Sequence, residues 1–317
     1  MQDVKQTVIE DAEVVAEGLG FPEGPVALAD GSVLVVELSA GTVRRVAPGG
    51  VSEVVATTHG SPNGAQIGPD GAAYVCNNGG AGLNPGDPIT PCIQRVDLDT
   101  GAVDVLYTTC DGQPLKSPND IVFDATGNFW FSDLGDHREG SMARGAVHYA
   151  SPDGSSIRRA PASVERANGI GLSPDGDVLY WAETGLRQVH RRRIASPGEL
   201  VPSPGIDLLS FVREGAFDPW VLLVGLPGWQ QLDSLAVEAA GNVCVGTLVD
   251  GCVTVISTDG EVERMTPPAA LADPLITNIC FGGADLQTAY LTCSATGRLL
   301  SCRWPRPGLK LAYQELP

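Results

Sequence analysis

Residues 117–133 read SPNDIVFDATGNFWFSD, and this stretch decides the fold. A polar residue stands at the mouth of an apolar strand, a Thr-Gly turn follows, and a second apolar strand ends the pattern. The same pattern recurs along the chain, so the stretch is predicted to be one unit of a structural repeat.

Six copies of the unit can be aligned on a polar residue and the turn that follows it. In five copies eight residues separate the two positions, which are Glu23 and Gly31, Asn63 and Gly71, Asn119 and Gly127, Asn168 and Gly176, and Asp233 and Gly241. In the sixth copy the turn is degenerate, and Asn278 precedes Gln287 by nine residues. The distance between copies varies from 40 to 65 residues. Self-similarity at such a period is typical of propeller blades.

Each copy is followed by further strand-like runs and turn signals, such as residues 251–256 before Asp259-Gly260. This alternation is typical of antiparallel meanders. We therefore predict an all-β, six-bladed β-propeller with four antiparallel strands per blade, in one domain spanning residues 1–317. The strand-like run at residues 12–16 is predicted to complete the last blade, which would cover an open sheet edge.

This fold predicts a common location for the six polar residues, because the first strand of each propeller blade lines the central channel. At one register they would form a ring, consisting of Glu23, Asn63, Asn119, Asn168, Asp233 and Asn278. Carboxylate and amide oxygens suit a hard cation such as Ca²⁺, so a metal site in the channel is predicted. The alternative is that these side chains only bond to the backbone of nearby turns.

The composition limits the possible partners and the compartment. The 317 residues include 38 acidic and 20 basic ones, for a net charge of −18, which disfavours a nucleic-acid partner. No apolar run approaches the roughly 20 residues of a membrane span, and no membrane partner is expected. The first residues lack the features of a signal peptide, so a cytoplasmic location is expected. The oligomeric state cannot be read from the sequence.

Other features give weaker expectations. The eight cysteines include no CxxC pair, and several fall inside apolar strand runs, where they are predicted to be small buried hydrophobes. The Gly-rich loop at residues 77–91 is placed near the channel mouth, where it either shapes access or is passive. His137, in the loop after the third copy, is a candidate substrate contact. Trp229 is assigned to core packing, with a pocket wall as the alternative. No GxSxG motif supports a serine hydrolase.

Four motifs together resemble the gluconolactonase/regucalcin (senescence marker protein) family of six-bladed propellers. They are Phe21-Pro22-Glu23-Gly24-Pro25, Ser117-Pro118-Asn119-Asp120, Ala167-Asn168-Gly169-Ile170 and Leu232-Asp233-Ser234. The resemblance implies that Glu23, Asn168 and Asp233 bind a divalent metal ion and that Asn119 binds the metal or the substrate. It also implies that Asp233 is the general base. Animal members carry an arginine where this chain has Ser117, so the substrate contact made by that arginine is missing here.

The expected function is a metal-dependent lactonase that hydrolyses a sugar-type or other small lactone to the hydroxy acid. One divalent ion would polarise the carbonyl, with Ca²⁺ favoured and Zn²⁺, Mn²⁺ and Fe²⁺ left open. Asp233 would take a proton from the attacking water, and Asn119 and Asn63 would orient the lactone. Two alternatives remain, namely a phosphotriester hydrolase using the same site and a non-catalytic calcium-binding propeller.

Overall fold

The computed structural model describes residues 4–80, 82–138, 140–162, 164–202, 212 and 218–317. These residues form six main sheets, antiparallel except for one N-terminal strand, that follow one another along the chain, and each sheet is one blade. The inner strand of every blade contacts the inner strands of both neighbouring blades, so the six strands close a ring. The predicted all-β, six-bladed propeller is confirmed.

Each blade runs from an inner strand at the channel to an outermost strand at the protein surface. In that order, blade 1 contains Pro22–Ala27, Val33–Glu37, Thr42–Val46 and Ser52–Thr57; blade 2 contains Pro62–Ile67, Ala73–Asn77, Cys92–Val96 and Val103–Tyr107; blade 3 contains Pro118–Phe123, Phe129–Asp133, Ala146–Ala150 and Ile157–Arg159. Blade 4 contains Ala167–Leu172, Val178–Glu183, Gln188–Ser196 and Leu222–Gly225; blade 5 contains Gln231–Val237, Val243–Leu248, Cys252–Ile256, Val262–Thr266 and Lys5–Val8; blade 6 contains Ile276–Gly282, Thr288–Cys293, Arg298–Arg303 and Glu13–Ala16.

Short elements decorate this frame. They are the strand pairs Thr109–Cys110 with Gln113–Pro114 and Asp136–Arg138 with Ser141–Ala143, the strand Glu199–Leu200, and the 3₁₀ turns Pro219–Val221 and Ala269–Leu271. No helix among the described residues is long and apolar enough to cross a bilayer.

Two N-terminal strands close the ring. Glu13–Ala16 pairs antiparallel with Arg298–Arg303 and is the outermost strand of blade 6, as predicted from the run at residues 12–16. Lys5–Val8 pairs in parallel with Val262–Thr266 of blade 5, which the sequence did not reveal. The outer edges of the last two blades are therefore covered by residues from the other end of the chain.

The core lies between the faces of adjacent blades. Trp130 of blade 3, for example, packs in one buried cluster with Ile170 and Trp181 of blade 4. The second strands of blades 1 to 3, Val33–Glu37, Ala73–Asn77 and Phe129–Asp133, are buried along their whole length because both of their faces meet a neighbouring blade. All eight cysteines are free and buried, which confirms the burial predicted for those in apolar strand runs and holds for the others as well.

The sixth copy keeps the same register as the other five. Leu286 takes the place of the turn glycine: its φ is +56°, and its amide donates to the Gly283 carbonyl at 3.1 Å. Gly31 makes the equivalent bond to Leu28 at 3.0 Å. The turn position predicted at Gln287 was therefore wrong by one residue. The left-handed conformation costs a leucine about 1–2 kcal/mol, which burial of its side chain offsets.

Candidate functional site

The backbone of every inner strand is irregular at its ring position. The pairing of inner and second strands shifts register between Glu23 and Val26, Pro62 and Ala65, Pro118 and Ile121, Ala167 and Ile170, Leu232 and Leu235, and Ile276 and Asn278. Such bulges redirect side chains and occur often beside active sites. The structure thus brings all six polar residues to the same end of the channel, which we call the ring end.

Glycines let the inner strands approach closely just below the ring. A Cβ added at Gly24 would lie 2.4 Å from the Asn63 carbonyl oxygen, and one at Gly64 would lie 2.5 Å from that of Asn119. No side chain fits in this space. The close contact keeps the ring narrow, so that oxygen atoms from different blades lie near one another.

Glu23 is buried and joins blades 1 and 6. Its Oε2 accepts hydrogen bonds from the Gly24 amide at 2.8 Å and from Asn278 Nδ2 at 2.9 Å. Burial raises the pKa of Glu23 to about 7, although these two bonds act in the opposite direction. Asn278 therefore holds Glu23 in place, a role that its position in the ring did not indicate.

Asn168 and Asp233 lie side by side in blades 4 and 5. Asn168 Nδ2 donates to Thr184 Oγ1 at 3.2 Å, and Asn168 Oδ1 accepts from Ser234 Oγ at 3.5 Å. Asp233 keeps some exposed surface towards the channel but is surrounded by protein. Desolvation, followed by the charge of Glu23, raises its pKa well above the usual range, and a hydrogen bond from Asn168 partly opposes this. A carboxylate with raised basicity is suited to accept a proton.

Asn63 and Asn119 present oxygens that no protein group satisfies. The Oδ1 atom of each is buried and has no hydrogen-bond partner. An unsatisfied buried acceptor costs about 1–3 kcal/mol, so structures rarely retain one without a reason. These atoms point to a donor or cation that the protein itself does not supply.

Asp120 was missed by the sequence analysis. It follows Asn119 at the register where three other blades carry Gly24, Gly64 and Gly169. A carboxylate at a position where the other copies have glycine could have marked Asp120 as a functional residue. Its carboxylate accepts from the amides of Ile121 at 2.9 Å and Ile170 at 3.2 Å, and also from that of Leu235.

The carboxylate of Asp120 thus ties blades 3, 4 and 5 together beneath the ring. Burial raises the pKa of Asp120 to about 7, and the charge of Glu23 adds to the rise. Together with Glu23 and Asp233, it makes three carboxyl groups whose negative charges disfavour one another.

The donors of the ring fit a hard divalent cation. Within the described ranges, no group of three or more His, Cys, Asp or Glu side chains is arranged to hold a metal ion, which leaves a mixed set of carboxylates and amides. Glu23, Asn168 and Asp233, with the unpartnered oxygens of Asn63 and Asn119, supply only oxygen. Oxygen-only sets suit Ca²⁺ better than the softer transition metals.

Two cavities lie away from the ring end. One, of about 480 Å³, continues the channel beyond Asp120 and is lined at its far end by residues 309–312. The other, of about 760 Å³, lies between residues 310–315 and blades 1 and 2. Of the six ring residues, only Asn278 lines either of them. The other five ring residues therefore lie outside both cavities.

The remaining predicted residues have mixed outcomes. The backbone of His137 lies in the strand Asp136–Arg138, but its side chain is outside the described residues, so its contact with substrate stays a prediction. The loop at 77–91 does emerge at the ring end, because Asn77 pairs with Pro62. Trp229 is 77% exposed, so its assignment to the core was wrong.

The crowded carboxyl groups predict an unusual pH dependence of stability in metal-free protein. The folded-state pKa values of Glu23 and Asp120 are raised to about 7, so folded protein binds protons that unfolded protein has released. The free energy of unfolding should then fall by about 1–2 kcal/mol between pH 6.5 and 8. Denaturant unfolding in the presence of chelator measures this change.

Between pH 6.5 and 8 the buried histidines do not oppose this change in the free energy of unfolding. Burial lowers the pKa of His148 and His190 to about 4, which removes stability only as the pH falls below about 6.5. Added Ca²⁺ should flatten the dependence above pH 6.5. A metal-free protein whose stability rises over this window would contradict the described ring.

Comparisons with known proteins agree with this architecture. Residues 21–295 match the family described as SMP-30/Gluconolactonase/LRE-like region. A gluconolactonase of Zymomonas mobilis is 27% identical over 303 residues, covering 89% of this chain and 78% of the relative. The lactonase drp35 of Staphylococcus saprophyticus is 27% identical over 248 residues, covering 77% and 67%.

Solved structures show the same fold at lower identity. A gluconolactonase from Xanthomonas campestris superposes with a TM-score of 0.69 at 22% identity, covering 93% of this chain and 89% of that one. Regucalcin from Agrobacterium tumefaciens, described as a calcium-binding protein, gives a TM-score of 0.71 at 15% identity, covering 99% of both chains.

Proposed function

Because the chain belongs to the SMP-30/gluconolactonase/LRE-like family, we propose that it is a metal-dependent lactonase acting at the ring end of the channel. The observation that carries the proposal is the convergence of Glu23, Asn168 and Asp233 beside two buried amide oxygens without partners. The two curated relatives described above are a gluconolactonase and a lactonase, which favours the same class of reaction.

The chemistry assigned to the ring is the hydrolysis of a cyclic ester. A divalent cation held by Glu23, Asn168 and Asp233, most simply Ca²⁺, would polarise the carbonyl and acidify water. Asp233 accepts the proton as the water oxygen bonds to the acyl carbon, and it returns the proton to the ring oxygen as the acyl C–O bond breaks. The product is the open hydroxy acid. Asn119 and Asn63 orient the lactone through their side-chain amides.

The protein scaffold makes Asp233 effective in this role. Asn168 contacts Asp233 and is itself fixed by Thr184 and Ser234, so the base has a defined direction. Asp120 fastens the strands that carry Asn168 and Asp233 through their backbone amides. Preorganisation of this kind reduces the reorganisation needed during the reaction.

Removal of the metal tests the proposal. Purified protein, analysed for metal content, is dialysed against chelator and assayed by pH drop on a sugar lactone, an unsubstituted small lactone and a phosphotriester. We expect lactone hydrolysis to fall at least about 100-fold, because polarisation of the carbonyl contributes several kcal/mol, and to return with Ca²⁺. Parallel additions of Zn²⁺, Mn²⁺ and Fe²⁺ identify the preferred ion.

The same assay separates the alternatives. Metal-dependent turnover of the phosphotriester alone would replace the lactonase with a phosphotriester hydrolase. Calcium binding without turnover of any ester would indicate a non-catalytic propeller. Lactone hydrolysis that is unaffected in protein shown to be metal-free would overturn the role of the cation.

A further inference from the structure

A second set of buried polar side chains lies at the ring end, on the strands next to those that carry the ring. In blades 1 to 4 the last residue of the second strand is polar and at most 3% exposed; these residues are Glu37, Asn77, Asp133 and Glu183. Each accepts a hydrogen bond from the backbone just ahead of the ring residue of its own blade. We call these four residues the anchors.

The anchor of blade 3 holds the backbone that leads to Asn119. Asp133 Oδ2 accepts from the Lys116 amide at 2.8 Å, and its Oδ1 accepts from the Ser117 amide at 2.8 Å. The amide of Leu134, which follows the anchor, donates to the Ser117 carbonyl at 2.9 Å. A single proline separates Ser117 from Asn119 and restricts the backbone between them. The direction of Asn119 therefore depends on Asp133.

The same contacts recur in blades 2 and 4. Asn77 Oδ1 accepts from the Ser61 amide at 3.0 Å, and Glu183 Oε2 accepts from the Arg166 amide at 2.6 Å. The residue after each anchor again donates its amide to the carbonyl of the same residue, at 3.0 Å for Ser61 and 3.2 Å for Arg166. In all three blades the residue held in this way stands two positions before the ring residue.

The fold does not require an anchor. The second strand of blade 5 ends in Leu248, whose side chain cannot accept a hydrogen bond. The amide that follows, of Val249, donates to the Pro274 carbonyl at 2.7 Å and not to the backbone ahead of Asp233. Blade 5 nevertheless forms a complete sheet. Because a blade can form without an anchor, the anchors point to a task at the ring.

The residue type of an anchor matches the groups that it faces. The two carboxylates, Asp133 and Glu183, accept hydrogen bonds from N–H donors through both of their oxygens. Asn77 accepts at Oδ1 but donates from Nδ2 to the His59 carbonyl at 2.8 Å. Replacing either carboxylate with its amide therefore turns an NH₂ group towards a donor and loses at least one bond, at nearly constant volume.

On the basis of the proposed lactonase function, we propose that the anchors are positioning residues that act through the ring residue of their own blade. Asp133 orients Asn119, and with it the lactone. Glu183 orients Asn168, and with it the cation; it also precedes Thr184, whose Oγ1 accepts from Asn168 at 3.2 Å. Mutation of residues that support a ligand in this way typically costs about 10–100-fold in metal affinity or activity.

Two substitutions should produce two different losses. Asp133→Asn should lower kcat/KM for lactone hydrolysis at least about tenfold, while the Kd for Ca²⁺, measured by isothermal titration, changes less than about twofold. Glu183→Gln should raise that Kd at least about tenfold. Its lactone hydrolysis should return towards the wild-type rate at saturating Ca²⁺.

Glu238→Gln is the matched control. Glu238 is a fully buried carboxylate that accepts from Trp304 Nε1 and Arg306 Nε, both at 2.7 Å, but it lies just beyond the opposite end of the inner strand of blade 5. Its variant should lower Tm, as the anchor variants do, and leave kcat/KM and the Kd for Ca²⁺ at their wild-type values.

A double-mutant cycle tests whether Asp133 acts through Asn119. In an Asn119→Ala background, Asp133→Asn should lower kcat/KM less than about threefold, because the side chain that it orients is already absent. Losses that multiply in the double variant would show that Asp133 does not act through Asn119 and would overturn its assignment.

The outcomes separate this inference from the function on which it rests. If both anchor variants lower Tm but change kcat/KM and Kd no more than Glu238→Gln does, the anchors are structural and the inference fails, while the lactonase stands. If one variant does not fold, the other decides. If the wild type hydrolyses no lactone, the lactonase fails; a tenfold rise in the Kd of Glu183→Gln would still support the inference, and an unchanged Kd would overturn it.

Discussion

Replacing Asp233 with asparagine is expected to reduce lactone hydrolysis by at least about 1,000-fold at saturating Ca²⁺. General bases contribute typically 10²–10⁴-fold, and asparagine cannot accept the proton. The surroundings favour this role, because a hydrogen bond from Asn168 holds the carboxyl group of Asp233 in place. Kinetics should show the loss in kcat, with a smaller effect on KM.

The control for this variant is Asp259→Asn. Asp259 is exposed in the turn between the outer strands of blade 5 and belongs to none of the ring contacts. The ring variant must also be shown to fold, and we expect its metal-free form to melt higher than the wild type above pH 7, since a crowded buried charge has been removed. Retention of more than about a tenth of wild-type kcat by Asp233→Asn would exclude this residue as the base.

Replacing Glu23 with glutamine should have the second largest effect, on cation binding. The affinity for Ca²⁺ depends on the number of charged ligands, and the variant loses one of the two carboxylates of the ring. We expect Kd to rise at least about 100-fold, equivalent to roughly 2.7 kcal/mol. A glutamine oxygen can still accept the bonds from Gly24 and Asn278, so the strand geometry is preserved. Isothermal titration measures the change.

Stability should move in the opposite direction in the same variant. Without metal at pH 8, Glu23→Gln should be more stable than the wild type by on the order of 2 kcal/mol, because the folded protein no longer ionises a buried carboxyl whose pKa is raised to about 7. With millimolar Ca²⁺ the order should reverse. Glu53→Gln, on the exposed outer strand of blade 1, is the control and should show no crossing. Parallel melting curves with no reversal would argue against Glu23 as a ligand.

Much of the fold was predictable because the same turn, with the same backbone requirement, recurs in nearly every copy of the repeat. Five copies place glycine at a turn position that requires positive φ, and this made the constant offset visible. Leu286 broke that rule while keeping the geometry, so the sixth copy was misaligned by one residue. The strand Lys5–Val8 was missed because it is short and mostly exposed, and its partner lies more than 250 residues away.

The ring residues were found from their shared register, but their supporting contacts were not. Asp120 is adjacent to Asn119 in sequence, and only the structure shows its carboxylate reaching the amides of two other blades. Asn278 was placed in the ring without its bond to Glu23. Trp229 was assigned to the core because tryptophan is usually buried, and this general tendency gave no information about the loop that exposes it.

The two N-terminal strands have a consequence for biosynthesis. The strands Lys5–Val8 and Glu13–Ala16 find their partners only after residues 262–303 have been made, so the ring of blades cannot close before then. Pairings of such high sequence separation form slowly. The first two strands therefore remain unpaired while the last two blades are synthesised. During that interval the growing chain exposes unpaired strand edges, which are the surfaces that chaperones protect.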